Sequence, residues 1–422
     1  MIKVLFLSSS DNMGGAAKAT LKLFKALQKT NISVRMLVKK KLTNDATISR
    51  IFTLLPMTVH LALDNYILNR YKGPRRHFWS LGFLPNLGLW LRLRLLRYDI
   101  VQLNWVNAGF MPVKLLRAIR KPIIWRLSDN WAFTGGCHIP ENCEKYTSGC
   151  GACPQLGSSD ESDISRTVIN RKLRYWNKLN MTIVAPSRWM AASAQSSLLF
   201  RERNVVYIPT GVNTEIFKPL NKRETRAKLG LGEDKGIILF GAVDALTDPR
   251  KGFHFLLTAL KRLAEIHPDP SSVELAVFGH ADKIPNVDLK FKVTFAGYIS
   301  DTAKLNEFYS SADVYVLPSV MENSPNTVLE ALSAGTPAVA FNACGTAEYI
   351  EHKIDGFLAE PLSTDDLANG LLYCLERRQE MHLQEAARRK MIEMYNIDRV
   401  ANQYRELYES IAKTAGLSRH GH

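Results

Sequence analysis

Short, almost wholly apolar runs alternate along this chain with longer segments of helical spacing, and the pattern occurs twice. That alternation constrains the fold more than any single motif. Brief apolar runs bounded by turns are buried strands. Where helices separate them, neighbouring strands run parallel and helices cover both faces of the sheet. In the first half the strand candidates are Lys3–Leu7, Ser33–Val38, Ile100–Leu103, Ile123–Leu127 and Met181–Ala185. The first is followed by a polar, glycine-rich turn, Ser8–Gly15. A helix then runs from about Ala16 to Gln28, with Leu21, Phe24 and Leu27 on one face. The second half offers Gly236–Phe240, Glu274–Phe278, Val293–Phe295, Val314–Leu317 and Ala338–Phe341. Helices are expected between them near Lys251–Ile266, Asp301–Ser311, Pro325–Ala334 and Thr364–Glu376.

The fold class expected is α/β, with two Rossmann-like domains and no single continuous sheet. A chain of 422 residues has room for two large domains at roughly 100–200 residues each. The join falls at Ile208-Pro209-Thr210-Gly211-Val212-Asn213, which ends a strand and reads as a turn. This places the first domain at 1–207 and the second at 208–396. The tail, 397–422, is helical and amphipathic over Asp398–Ala415 and is expected to pack back toward the first domain.

Charge divides the chain at the same place. Residues 1–206 carry 31 Lys+Arg against 11 Asp+Glu, a balance of +20; the remainder carries 24 against 29, or −5, for the net +15. A basic half faces something anionic: nucleic acid, phospholipid or a phosphorylated acceptor. With 46% hydrophobic and 23% charged residues, the composition excludes a disordered chain, a collagen-like fibre and a bare coiled coil. A spanning helix needs about 20 apolar residues. The uncharged stretches Leu81–Leu91 and Ala331–Ala347 are broken by Pro85 and Gly88, and by Gly335 and Pro337. The apolar start is too short for a signal-peptide core, so a cytoplasmic protein with reduced cysteines is expected. Between Arg50 and Arg97, Phe, Trp and Leu mix with Arg75-Arg76 and the run Arg92-Leu93-Arg94-Leu95-Leu96-Arg97. That region reads either as a surface resting on a membrane interface or as a helix with a buried Leu face and solvated arginines.

The most informative stretch runs from Leu317-Pro318-Ser319 through Glu322-Asn323-Ser324-Pro325-Asn326-Thr327 and Glu330 to Gly335-Thr336-Pro337. A buried strand ends at Pro318, a loop follows, and a helix begins with Pro325 near its first position. Backbone N–H groups of Asn326 and Thr327 then form an anion site at the carboxyl end of a parallel strand. Glu322 and Glu330 flank it and can accept hydrogen bonds from sugar hydroxyls. By composition alone, a capped surface helix with solvated glutamates serves equally.

This segment resembles the Glu-x7-Glu signature of family-four retaining glycosyltransferases, which have the two-domain GT-B fold. Ala312-Asp313-Val314-Tyr315-Val316-Leu317-Pro318-Ser319 and Leu329-Glu330-Ala331 match its flanks. Gly211-Val212-Asn213 to Phe217-Lys218-Pro219 resembles the family's interdomain segment, and the likeness covers nearly the whole chain. The resemblance implies two domains facing across a cleft. In it, Glu322 approaches the donor sugar, Glu330 binds the nucleotide ribose, and Asn323 and Ser324 supply loop contacts. Arg250-Lys251-Gly252 matches the family's basic pair, whose two cations neutralise a pyrophosphate leaving group as its charge builds. Tyr298 and Ile299, after Gly297, resemble the loop that touches the nucleotide base. Gly14-Gly15 opens the first helix without a Gly-x-Gly-x-x-Gly fingerprint. In the family this pair brings backbone amides toward donor phosphate or acceptor.

The family places a His-Asp pair after a strand where this chain has Ser128-Asp129, so the histidine's role is unfilled or moves to His138. Asp129 is the expected acceptor or sugar contact. Cys137, Cys143, Cys150 and Cys153 follow, spaced C-x5-C-x6-C-x2-C within a loop over 134–154. Thiolates this close suit a structural Zn²⁺. Four packed thiols, or two disulfides in an oxidising cell, are the alternatives. Thr134–Pro154 also resembles a subgroup linked to bacterial exopolysaccharides of the colanic-acid kind. Cys344 and Cys374, each alone in an apolar setting, are expected in cores.

The function implied is retaining glycosyl transfer from a nucleotide-sugar to a saccharide or lipid-pyrophosphate-saccharide acceptor, at the inner face of the cytoplasmic membrane. No enzyme nucleophile and no catalytic divalent metal are implied. A sugar-nucleotide epimerase of the same fold is the rival enzyme. A zinc-containing nucleic-acid binder is set lower, because the basic residues are scattered and no reader module is present.

Overall fold

Lys3–Ser10 forms the first strand, β1, and every side chain after Lys3 in it is buried. A strand buried on both faces belongs inside a parallel sheet covered by helices, and β1 has a parallel partner on each side. The computed structural model describes residues 1–52, 57–74, 77–241, 248–279 and 289–416. They divide into two units: Met1–Pro209 with the residues from Val400 onward, and Thr210–Arg399.

In the first unit the further strands are β2 (Ser33–Lys40), β3 (Ile48–Arg50), β4 (Ile100–Leu103), β5 (Ile123–Arg126), β6 (Met181–Ala185) and β7 (Asn204–Tyr207). Their order is β3-β2-β1-β4-β5-β6-β7, all parallel. The helices are α1 (Gly14–Leu27), α2 (Met57–Leu68), α3 (Leu87–Leu95), α4 (Ile164–Trp176) and α5 (Arg188–Ser196). α1 turns Leu23, Phe24 and Leu27 inward, and Phe24 meets Phe6 of β1 edge-to-face with ring centroids 5.5 Å apart. The order reverses between β1 and β4, and ligands in such sheets bind beyond the strands' carboxyl ends at that point.

The second unit repeats the scheme. Its strands are β8 (Gly236–Gly241), β9 (Val273–Phe278), β10 (Lys292–Gly297), β11 (Val314–Leu317), β12 (Ala338–Phe341) and β13 (Gly356–Ala359), in the parallel order β10-β9-β8-β11-β12-β13. The helices are α6 (Lys222–Leu229), α7 (Phe253–Ile266), α8 (Thr302–Ser311), α9 (Asn326–Ser333), α10 (Thr364–Glu376) and α11 (His382–Met394). Here the order reverses between β8 and β11. Asp313, just before β11, is buried. It accepts hydrogen bonds from Arg226 Nη2 (2.7 Å), Lys222 Nζ (2.9 Å) and the Ile237 N–H (2.7 Å). A buried carboxylate with three donors ties α6, β8 and β11 together. The last helix, α12 (Ile397–Thr414), crosses into the first unit at Val400. There it buries Tyr404 and Tyr408, and the Tyr408 hydroxyl bonds Gln102 of β4.

Several expectations shift. β1 runs on to Ser10, because its pairing with β2 continues through Ser8 opposite Val38 and Ser10 opposite Lys40; Ser9 Oγ donates to Asn107 O at 2.7 Å. Pro325 is the N-cap of α9 and not its first residue. Lys251 ends a separate 3-10 turn, Pro249–Lys251, and α7 starts after Gly252. Between Arg50 and Arg97, α3 buries Leu89 and Leu93 and leaves Leu87, Trp90, Leu91 and Leu95 exposed. Arg75 and Arg76 lie outside the described residues. Cys374 is buried in a core, whereas Cys344 is half-buried at φ +52° in the turn after β12. Among the described residues, no helix is long and apolar enough to cross a membrane.

Candidate functional site

In the second unit, the two segments that follow the strands at the reversal are joined directly. Gly252 adopts φ +69°, and a Cβ on it would lie 1.8 Å from the Pro318 carbonyl oxygen. Glycine therefore lets the Pro249–Lys251 turn press onto the end of β11. The Val320 N–H donates to Arg250 O at 3.0 Å and strengthens the join. The result is an ion pair between residues far apart in sequence: Lys251 Nζ lies 2.5 Å from Glu322 Oε1, with both side chains mostly shielded. Arg250 instead faces Asp248, to which its Nε (3.1 Å) and Nη2 (2.5 Å) both donate.

Beyond this loop, α9 begins at Asn326 and Thr327 with no side chain capping its first turn. That helix end points positive partial charge outward. Glu330, one turn on, accepts from the buried Tyr309 hydroxyl at 3.2 Å. Ser324 Oγ and Tyr349 OH are 2.8 Å apart. The buried Tyr315 hydroxyl has its pKa raised by burial and then by the nearby charges of Glu330 and Glu322, while Thr327 bonds it. The Tyr315 hydroxyl donates to Gly241 O at 3.1 Å. Lys251, Glu322, Ser324, Thr327 and Glu330 gather at one edge of the sheet, with Asn323 and Asn326 in the same loop and helix start. Tyr298 and Ile299 follow β10, at the outer edge of the sheet. Tyr298 is half exposed, and the Ile299 side chain is packed in the core beside Phe278 and Tyr309.

In the first unit, Asp129 follows β5. Its carboxylate accepts from Trp105 Nε1 (2.8 Å) and the Trp131 N–H (3.0 Å), and His138 Nδ1 lies at 2.7 Å. Burial alone would raise its pKa; His138 and these hydrogen bonds hold it below the ordinary value. His138 is buried, with Nε2 3.0 Å from Ser80 Oγ. Its ring partners Asp129, but both its nitrogens are engaged inside the unit. Ser128 lies 3.5 Å from Arg126 Nη1. Sequence reasoning passed over Asn104, Trp105 and Asn107, which line a small polar cavity with Ser128 and Asp129. Among the described residues Asn107 Oδ1 is buried without a hydrogen-bond partner. The available signal was position: these residues directly follow the buried run Ile100–Leu103.

The sequence matches the family model described as Glycosyltransferase Family 4 over residues 13–216 and that described as Glycosyl transferases group 1 over residues 234–377. This chain is a GT-B glycosyltransferase of family four. It is 27% identical over 295 residues to an uncharacterized glycosyltransferase of Methanocaldococcus jannaschii, covering 66% of this chain and 72% of that one. It is 28% identical over 210 residues to the UDP-Gal:alpha-D-GlcNAc-diphosphoundecaprenol alpha-1,3-galactosyltransferase of Escherichia coli, covering 48% of this chain and 53% of that protein's length. Its fold is similar to that of Anabaena HepE crystallised with UDP-glucose, with a TM-score of 0.65 at 18% identity, covering 97% of this chain and all of that one.

Two further features of this glycosyltransferase lie in the first unit. Gly14 and Gly15 are the first residues of α1. Gly14 has φ +83°, and no atom lies within 4 Å of where its Cβ would be, so the helix start is open to approach. Cys137, Cys143, Cys150 and Cys153 line one small cavity and are all unpaired thiols. Burial pushes the pKa of Cys137 and Cys153 up, and that of Cys150 to about 11. Among the described residues no group of three or more His, Cys, Asp or Glu side chains is already arranged to hold a metal.

Gly252→Ala tests the joint between turn and loop. Left-handed backbone strain of about 1–3 kcal/mol adds to the collision with Pro318. The variant is expected to lower the free energy of unfolding by at least that amount, read as a lower urea midpoint. Unchanged stability would show that the turn is not held where the structure has it.

Proposed function

We propose that this glycosyltransferase transfers a sugar, with retention, from a nucleotide-sugar to a lipid-diphosphate-linked saccharide in bacterial surface-polysaccharide assembly. The observation that carries the reading is the Lys251–Glu322 pair beside the uncapped start of α9. A donor diphosphate needs cations and free N–H groups, and its sugar needs hydrogen-bond acceptors. Here both kinds of group stand within one loop cluster at the switch point. Glu322 holds Lys251 in position and faces the sugar, while Glu330 accepts from the ribose hydroxyls. Arg250, turning from Asp248, joins Lys251 on the leaving diphosphate. In the transfer the anomeric C–O bond to the diphosphate breaks as the acceptor hydroxyl oxygen bonds to the same carbon. The hydroxyl proton passes to the departing phosphate oxygen. Attack on the face the leaving group vacates retains configuration without an enzyme nucleophile. Asp129, kept ionised and braced by Trp105 and His138, lies on the acceptor-binding unit and accepts from a sugar hydroxyl. The named relative from Escherichia coli, which carries a UDP-sugar and a diphosphoundecaprenol acceptor in its name, supports this substrate class.

We also infer contact with a lipid surface through α3. Leu87, Trp90, Leu91 and Leu95 form an exposed apolar face, Phe52 is exposed beside the helix start, and Arg92, Arg94 and Arg97 flank it. Each basic residue near an anionic bilayer contributes about 1 kcal/mol, and the first half of the chain carries a balance of +20. An acceptor with a polyprenyl tail is presented at such a surface.

Screening UDP-, GDP- and ADP-sugars by thermal shift should find one that stabilises the protein, by about 2.7 kcal/mol at a hundredfold excess over Kd. Glu330→Ala should weaken that donor roughly 10-fold or more, the loss of a charge-assisted pair of hydrogen bonds. No stabilisation by any sugar nucleotide, or undiminished turnover in Glu330→Ala, would overturn the reading. For the membrane face, sedimentation with anionic vesicles at low salt should exceed that with neutral ones and fall sharply in Trp90→Ser/Leu95→Ser. Equally poor binding to both kinds of vesicle would refute it.

A further inference from the structure

Residues 127–163, between β5 and α4, contain only three short 3-10 turns, Trp131–Phe133, Lys145–Thr147 and Pro154–Leu156. A segment this long without regular structure is uncommon in a compact domain unless something else fixes it. The backbone is tightly wound as well: Glu141, Cys150 and Ala152 all have positive φ. Four cysteines come together within this segment. Cys137, Cys143, Cys150 and Cys153 border one cavity of about 20 Å³, with Trp79 and Tyr146 on its walls.

We propose that these four thiols bind a single structural Zn²⁺ that fixes the loop carrying Asp129 and His138. Two observations support a metal over mere packing. First, Cys137, Cys143, Cys150 and Cys153 all line the same small cavity; among the described residues they are not yet grouped closely enough to hold a metal, so binding requires their side chains to turn inward. Secondly, backbone N–H groups are aimed at the sulfurs: that of Gly135 at Cys150, and those of Gln155 and Leu156 at Cys153. Amides placed this way stabilise metal-bound thiolates. The buried Lys172 of α4 lies beside the same loop: its Nζ donates to the carbonyl oxygens of Trp131 and Thr134 and lies 3.9 Å from the Trp131 ring centroid. Binding releases four thiol protons and forms four Zn–S bonds, with no change of oxidation state.

The test is the metal content of the full chain. Protein produced with zinc and freed of loose metal by gel filtration should hold about one zinc per chain. Its four loop thiols should react with a thiol reagent only after unfolding with a chelator. Replacement by Co²⁺ should give the thiolate charge-transfer and d–d absorption of a tetrahedral site. Cys143→Ser changes one of the two half-buried ligand positions, so the chain should still fold, and zinc affinity should fall on the order of 10-fold or more. If Cys137→Ser does not fold, wild-type metal content and Cys143→Ser still decide. Wild-type protein without zinc, with its loop thiols freely reactive, would overturn the proposal. So would mass-spectrometric detection of two disulfides in the loop. These readouts do not depend on activity, so the zinc proposal can fail while the transferase reading stands.

Discussion

The closeness of the Gly252 backbone to the Pro318 carbonyl is the constraint on which the second unit's site depends. Two strands meet where the sheet order reverses, and the segments leaving them would otherwise diverge. Because residue 252 has no side chain, the turn after β8 lies against the end of β11, and Lys251 reaches Glu322. The pair is partly shielded, so its charges are felt more strongly than those of an exposed salt bridge. It sets a cation and a carboxylate side by side at the start of a helix whose amides attract anions. Diphosphate and sugar are groups of opposite demand, and on the function proposed above this arrangement would meet both.

The first unit solves a different problem with the same sheet order. At its reversal, buried polar side chains end β1 and follow β4 and β5: the serines Ser8–Ser10, then Asn104 and Asn107, then Asp129. Asp129 is fixed by an indole, a backbone amide and an imidazole, which leaves it ordered and ionised. His138 comes from the cysteine loop, so whatever holds that loop also positions this carboxylate. A single hydrogen bond of 2.7 Å therefore ties the loop to this carboxylate.

Much of this was legible in the sequence, for physical reasons. A strand buried on both faces is apolar at nearly every position, so Ile100–Leu103, Met181–Ala185, Val314–Leu317 and Ala338–Phe341 mark themselves even with Gln102 and Thr182 among them. β3 and β13 were not recognised, and β7 was read only as an undelimited strand ending at the 208–213 join: all three are edge strands, β3 and β7 carry polar residues, and β13 opens on glycine. The region from Arg50 to Arg97 was obscure because α3 is apolar on both its buried and its exposed face, which blurs helical periodicity. The grouping of Glu322 with Lys251 followed from resemblance, and only coordinates reveal the ion pair. The partnership of His138 with Asp129 depends on how an irregular loop folds back. Spacing cannot encode that, and Asn104 and Asn107 escaped notice because only their position after a strand distinguishes them.

The most direct test of the central claim is a double-mutant cycle on Lys251 and Glu322, read by calorimetric titration with whichever of UDP, GDP and ADP binds. Removing Lys251 as alanine should weaken the nucleotide about 10-fold or more, near 1.4 kcal/mol. Glu322→Gln should leave binding as tight or tighter, because it releases the lysine to the phosphates, and that gain should vanish in the double variant. Equal affinity across all four proteins would contradict the claim that this pair grips the diphosphate.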